Sequence, residues 1–197
     1  FGDISEARIS LSGTSNSVRS FMLGGQRASD TNASDTIDTI VIASGGAATD
    51  FGDLPSANGF KSSATSQSHG GLNDGYQGTR PTYIQGAGRA FIQGGSGPVA
   101  LIQEHIIPTL GNTSSFGNLS VSRQDTAGFS STIRAYAAGG ISPSYEDEID
   151  YYFVATRGNA ADFGNLSTGS RSPGGLSNTT RGVIGGGTDS SGIENEI

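Results

Sequence analysis

The sequence predicts an all-β fold of repeated four-stranded sheets. Three observations predict it: a seven-residue motif that occurs four times, a phenylalanine-glycine marker that keeps step with it, and a composition rich in turn formers. Repetition carries most weight, because a fixed period dictates the whole architecture. The motif reads RSFMLGG from Arg19, RAFIQGG from Arg89, RAYAAGG from Arg134 and RGVIGGG from Arg181, each with an arginine five residues ahead of a glycine pair.

The marker reads FGDI from Phe1, FGDL from Phe51, FGNL from Phe116 and FGNL from Phe163, at intervals of 50, 65 and 47 residues. In three copies the glycine pair begins 23 residues after the phenylalanine, at Gly24, Gly139 and Gly186; in the second it begins 43 after, at Gly94. The second repeat therefore carries a 20-residue insertion, near 69–88. A third signature, IDTIVIAS from Ile37, IQEHIIPT from Ile102 and IDYYFVAT from Ile149, ends seven residues before the next phenylalanine. These markers describe a single repeat domain over 1–197, with units of about 1–50, 51–115 and 116–162 and an incomplete one over 163–197. The sequence starts at Phe1 and stops where the third signature is next due. It is expected either to be a piece of a longer protein or to close by joining its Phe1 strand to the sheet left open at Ile197.

Four strands are expected in each unit. The arginine-to-glycine segment is rich in β-branched and aromatic residues and ends on glycines that permit positive φ. The Ile-Asp strand is continuously apolar, as in Ile149–Thr156, and so reads as covered on both faces. A brief Phe-Gly-x-Leu strand follows. The last runs through Arg8–Gly13, Arg123–Gly128 or Arg171–Gly175, then turns through serine and asparagine into the next arginine strand. Thirty-two glycines and 8% aromatic residues suit short strands and frequent turns, and almost no helix is expected.

Composition also excludes classes of function. The chain has no cysteine, hence no disulfide and no thiolate metal site. A net charge of -7 disfavours nucleic acid as a partner. No stretch approaches the roughly 18 consecutive apolar residues of a membrane helix, so no membrane insertion is expected.

Four short strands in each unit, repeated without helices, is the pattern of propeller blades. The order of glycine pair, a strand with a central aromatic (Tyr151-Tyr152), a bulky aromatic followed by leucine (Phe163, Leu166), then Arg171 and a return to Gly186-Gly187 resembles the Kelch and galactose-oxidase-like β-propellers. The wording IDYYFVATRGNAADFGNLS followed by TRGVIGGG is similar to tandem repeats of virion structural and tail-associated proteins of marine tailed bacteriophages. The resemblance implies a non-enzymatic structural or adhesive module in a virion, on a tail fibre or capsid appendage. Its partners would be other virion proteins or a host-surface glycan or protein, within an oligomeric assembly and without a cofactor. Two alternatives stand beside it: a carbohydrate-active propeller enzyme, such as a glycan hydrolase, and a Kelch-type adaptor that binds peptides. The absence of cysteine speaks against a galactose-oxidase copper site, and the absence of tryptophan against sialidase aspartate boxes.

Candidate residues follow from position in the repeat. The insertion carries Tyr76, Arg80 and Tyr83, and rigid aromatics with arginine on a loop supply contact energy at little entropic cost, so these three are the expected binding residues. Arg19, Arg89, Arg134 and Arg181 recur identically, which suits construction of the repeat, with Asp38, Asp50, Asp150 and Asp162 as expected partners. Glu146-Asp147-Glu148 reads as a solvated loop, since no ligand spacing for calcium accompanies it. His69 and His105 stand in unlike contexts with no nucleophile or further ligand at matching spacing, so no catalytic residue and no metal site is assigned.

Overall fold

The computed structural model describes residues 2–15, 18–30, 32–57, 61–66, 88–107, 111–178, 180–194 and 197. Within them the protein is all-β, with no helix. The first strands are β1 (Arg8–Ile9), β2 (Ser12–Ser15), β3 (Arg19–Leu23), β4 (Gln26–Arg27), β5 (Thr36–Val41) and β6 (Thr49–Asp53). Next come β7 (Ser63–Ser66), β8 (Arg89–Gln93), β9 (Val99–Ile106) and β10 (Ser114–Arg123). The chain continues through β11 (Ala127–Ser130), β12 (Arg134–Ala138), β13 (Glu148–Phe153), β14 (Ala161–Asn165), β15 (Gly174–Ser177) and β16 (Gly182–Gly185). Three four-stranded antiparallel sheets result, ordered β2-β3-β5-β6, β7-β8-β9-β10 and β11-β12-β13-β14, followed by the hairpin β15-β16. A short ribbon, β1-β4, flanks the first sheet.

Each recurring motif has a structural reason. Both glycines of every pair adopt positive φ, from 59° at Gly24 to 141° at Gly95, a region closed to most side chains. They also bring neighbouring sheets together: the Gly95 amide donates to the Arg123 carbonyl, and the Gly140 amide to the Ser170 carbonyl. A Cβ on Gly94 would lie 2.6 Å from the Arg123 oxygen, and one on Gly139 would lie 2.5 Å from that of Ser170.

The marker phenylalanine is a bulged residue in all three sheets. Ile37 pairs with Gly52 and Asp38 with Asp50, skipping Phe51; the pairings around Ile102 and Ile149 skip Phe116 and Phe163 in the same way. A bulge re-aims the side chain it carries. Here it turns the ring toward the following sheet.

Successive sheets pack face to face. Phe21, Leu23, Ile37, Phe51 and Leu54 of the first sheet and its following loop meet Ala90, Ile92 and Ile107 of the second. Phe91, Ile102, Phe116 and Leu119 of the second meet Ala135, Ala137, Tyr152 and Val154 of the third. Since successive residues of a strand face opposite sides, Phe91 looks forward while Ala90 and Ile92 look back. Each interface sets two phenylalanine rings of one sheet against aliphatic side chains and one ring of the next.

The first strands of consecutive sheets lie side by side. Their last residues, Ser15, Ser66, Ser130 and Ser177, form a file of hydrogen bonds: Ser66 Oγ donates to the Ser15 carbonyl at 2.7 Å, Ser130 Oγ to that of Ser66 at 3.0 Å, and Ser177 Oγ to that of Ser130 at 2.6 Å. The hydroxyls of Ser66, Ser130 and Ser177 are thus sheet-to-sheet fasteners.

Two expectations are corrected. The segment Arg8–Gly13 is not one strand: Ser10 takes φ 51°, and β1 ends at Ile9 before β2 begins. The buried aspartates do not pair with the motif arginines. Asp38 pairs with Arg8 and Asp150 with Arg123, all four side chains fully buried. The turn at the positive-φ residue folds each of these arginines back across its sheet. There Arg8 also donates to the carbonyls of Gly24 and Thr36, and Arg123 to those of Ala137 and Glu148. Asp50 and Asp162 instead accept the amides of Gly52 and Gly164, fixing the bulge.

Candidate functional site

The same position differs in exposure from sheet to sheet. Phe51 and Phe116 are each 4% exposed, whereas Phe163 is 57% exposed. Phe51 is covered by His105 of β9, at 4.4 Å between ring centroids, and Phe116 by Tyr152 of β13, at 5.5 Å. Phe163 faces β15-β16, a hairpin with no further strand beyond β16 among the described residues.

The result is an aromatic groove on the third sheet. Tyr136 stacks on Phe129 at 5.0 Å and receives the edge of Phe163 at 5.4 Å. The Arg134 guanidinium lies 4.6 Å from the Tyr151 ring centre and 5.0 Å from that of Phe153, cation–π contacts with two neighbouring rings that hold the arginine at the rim. The cavity between this face and the hairpin has a volume of about 600 Å³. Arg181, Ser131, Asn178 and Thr180 complete its polar edge, and its lining includes no carboxylate and no imidazole. Asn178 Oδ1 accepts the amides of Thr180 and Arg181, which fixes the hairpin turn beside Arg181. Apolar rings below and fixed donors at the edge suit recognition of an extended or planar group by packing and hydrogen bonding.

Other ionisable groups are absorbed by the scaffold. His105 is 1% exposed, makes no hydrogen bond through either ring nitrogen, and packs between Phe21 and Phe51. Burial pulls its pKa down to about 4, so it is a neutral aromatic spacer at pH 7. Burial lowers Arg123 from the usual arginine range, opposed chiefly by Asp150, and it remains a cation. Burial raises Tyr152, whose hydroxyl donates to Gln93 Oε1. Glu146, Asp147 and Glu148 are half-buried rather than solvated, and burial followed by a hydrogen bond with Glu148 raises Glu146. Among the described residues no group of three His, Asp or Glu side chains is placed to hold a metal ion.

The expected binding residues Tyr76, Arg80 and Tyr83, together with His69, lie outside the described residues. Of the motif arginines, Arg89 pairs with Glu104 at 3.4 Å and donates to the Val154 carbonyl, while Arg134 and Arg181 border the groove. Glu104 also takes Arg157 as a partner. Motif reading missed the groove itself. Its signal was present in the sequence: Phe163 matches Phe51 and Phe116 in the repeat, so the three invite comparison for burial. Comparison with family models and with curated proteins gives no match to this chain.

Proposed function

We propose that the chain is a non-enzymatic structural or adhesive module of a phage virion, built as a β-propeller with Kelch-like blades, which mediates contact with other virion proteins or with the host surface. The observation that carries the reading is the use of recurring polar residues for construction. Arg8–Asp38, Arg123–Asp150 and the serine file all serve joints within or between sheets. Side-by-side first strands and face-to-face packing support a blade arrangement. The virion setting rests on the wording of the repeats, and fold by itself assigns no function.

Electron cryo-microscopy of the native assembly tests the proposal. Blades arranged around an axis, with residues 69–88 or the aromatic groove against a neighbouring subunit or receptor, are expected. A deep central pocket lined by carboxylates, with glycan cleavage in a panel of oligosaccharides, would overturn it. Replacing Tyr76, Arg80 and Tyr83 together by alanine is expected to leave the melting temperature unchanged while weakening attachment; undiminished attachment removes the insertion from the contact surface.

A further inference from the structure

We propose that the groove formed by Tyr136, Phe163 and the outer edge of β16 accepts an added extended β-strand of the pattern isoleucine, aspartate, any residue, tyrosine or histidine, any residue, valine or isoleucine. This deepens the contact reading given above by naming the chemistry of the partner. It does not depend on the propeller arrangement or on a viral setting.

Two joints within the chain set the pattern. In each, a forward face with two large rings is closed by the third strand of the next sheet. His105, fourth in the Ile102 signature, lies 5.3 Å from Phe21 and 4.4 Å from Phe51. Tyr152, fourth in the Ile149 signature, lies 5.3 Å from Phe91 and 5.5 Å from Phe116. The sixth residue, Ile107 or Val154, is fully covered in both. On the third sheet the same two positions are Tyr136 and Phe163. Phe163 stands open.

The edge that would receive the strand is in place. β16 pairs only with β15 among the described residues, leaving a row of backbone groups on its far side. Unpaired edges bind extended peptides by main-chain hydrogen bonds, with side-chain pockets giving specificity. The register follows from the third sheet, where Ala135 pairs with Tyr152 and Ala137 with Asp150. By the same register the fourth residue of an incoming strand falls opposite Gly182, where a Cβ would lie 2.4 Å from the Phe129 ring, so that only glycine lets the hairpin close on the groove floor.

A second, independent observation marks the other end of the groove. Ser170 holds the position that Arg8 and Arg123 hold in the first and third sheets, four residues before the first strand. Its side chain is buried, and its Oγ has no hydrogen-bond partner. It lines a cavity of about 290 Å³ beside Ile184 and Gly185 of β16. In the first and third sheets that space is occupied by the arginine and the aspartate at the second position of the signature. A short serine in place of the arginine leaves room for an aspartate or asparagine that accepts its hydroxyl proton.

The test titrates the chain with a capped synthetic peptide of the sequence Ile149–Thr156, followed by calorimetry and by hydrogen exchange at β16. Expected are saturable binding and slowed exchange of the β16 amides. Affinity should fall about tenfold or more when the peptide carries Tyr152→Ser or the protein carries Phe163→Ala, a change at an exposed side chain that spares the fold. The peptide substitution Asp150→Ala should weaken binding to the natural chain more than to its Ser170→Ala variant. No binding, binding indifferent to Phe163→Ala, unchanged β16 exchange, or displacement of the peptide by oligosaccharides would each overturn the assignment. None of these results bears on the arrangement of subunits in the native assembly, which tests the functional reading separately.

Discussion

His105 and the two buried arginine–aspartate pairs show how single residues set the conditions under which this fold persists. Histidine ordinarily titrates near pH 6.5, and His105 does so only at about 4 in the folded chain. Above pH 6.5 it is neutral in both folded and unfolded states and adds no pH dependence. Below that, the unfolded chain takes up a proton that the folded chain refuses, so stability falls with falling pH until about pH 4, by up to about 1.4 kcal/mol per pH unit. Unfolding in urea at pH 7.5, 5.5 and 4.5 should show this slope. The variant His105→Phe should lose it over that window while staying folded at pH 7.5. The ion pairs make a different prediction. Asp150→Ala strands the Arg123 guanidinium in the interior and should cost about 3–5 kcal/mol, whereas coupling it with Arg123→Met should restore most of the loss. Equal destabilisation of the single and double variants in urea would show that the pair supplies net stability rather than mutual neutralisation.

At the scale of the element, glycine pairs and phenylalanine bulges explain why these residues recur. Gly94 and Gly97 separate two roles that glycine plays. Both adopt positive φ, at 66° and 81°, but a Cβ on Gly97 would meet nothing within 4 Å, while on Gly94 it would press on the Arg123 carbonyl. Gly97→Ala should therefore cost about 1 kcal/mol, the conformational penalty alone. Gly94→Ala should cost at least about 2 kcal/mol more, because backbone of the neighbouring sheet must shift. Much of this was legible in sequence. Spacing alone located the strands around Arg19, Arg89, Arg134 and Arg181 and the four-stranded unit, because turn chemistry leaves a mark on residue type. The partners of Asp38 and Asp150 were not legible. They depend on Ser10 and Asp125 adopting left-handed backbone, a conformation that non-glycine residues do not advertise. The bulge at Phe51, Phe116 and Phe163 was hidden for a related reason: a skipped pairing is a property of two strands together.

For the molecule as a whole, stability comes from interfaces between sheets, and they are unequal along the chain. Phe116→Ala should cost about 3–5 kcal/mol, since the ring fills a joint between Phe91 and Tyr152. Phe163→Ala, at the matching but open position, should cost less than about 1 kcal/mol in chemical denaturation. Similar losses for the two would mean that Phe163 is covered in solution. Candidate contact surfaces come into view in two different ways at this scale. Composition marks Tyr76, Arg80 and Tyr83 as contact residues by type, while the groove on the third sheet emerges only when equivalent positions are compared for burial.

The serine file has an arrow. The hydroxyls of Ser66, Ser130 and Ser177 each donate to the carbonyl of the serine in the preceding sheet, so Ser15 and Ser177 are chemically unlike ends of one line. A stack with such a direction has a head and a tail. Two copies meeting like face to like face would set donor against donor or acceptor against acceptor along this line. Growth or closure that preserves the joint runs head to tail, the heterologous mode that yields rings when the rotation closes and filaments when it does not.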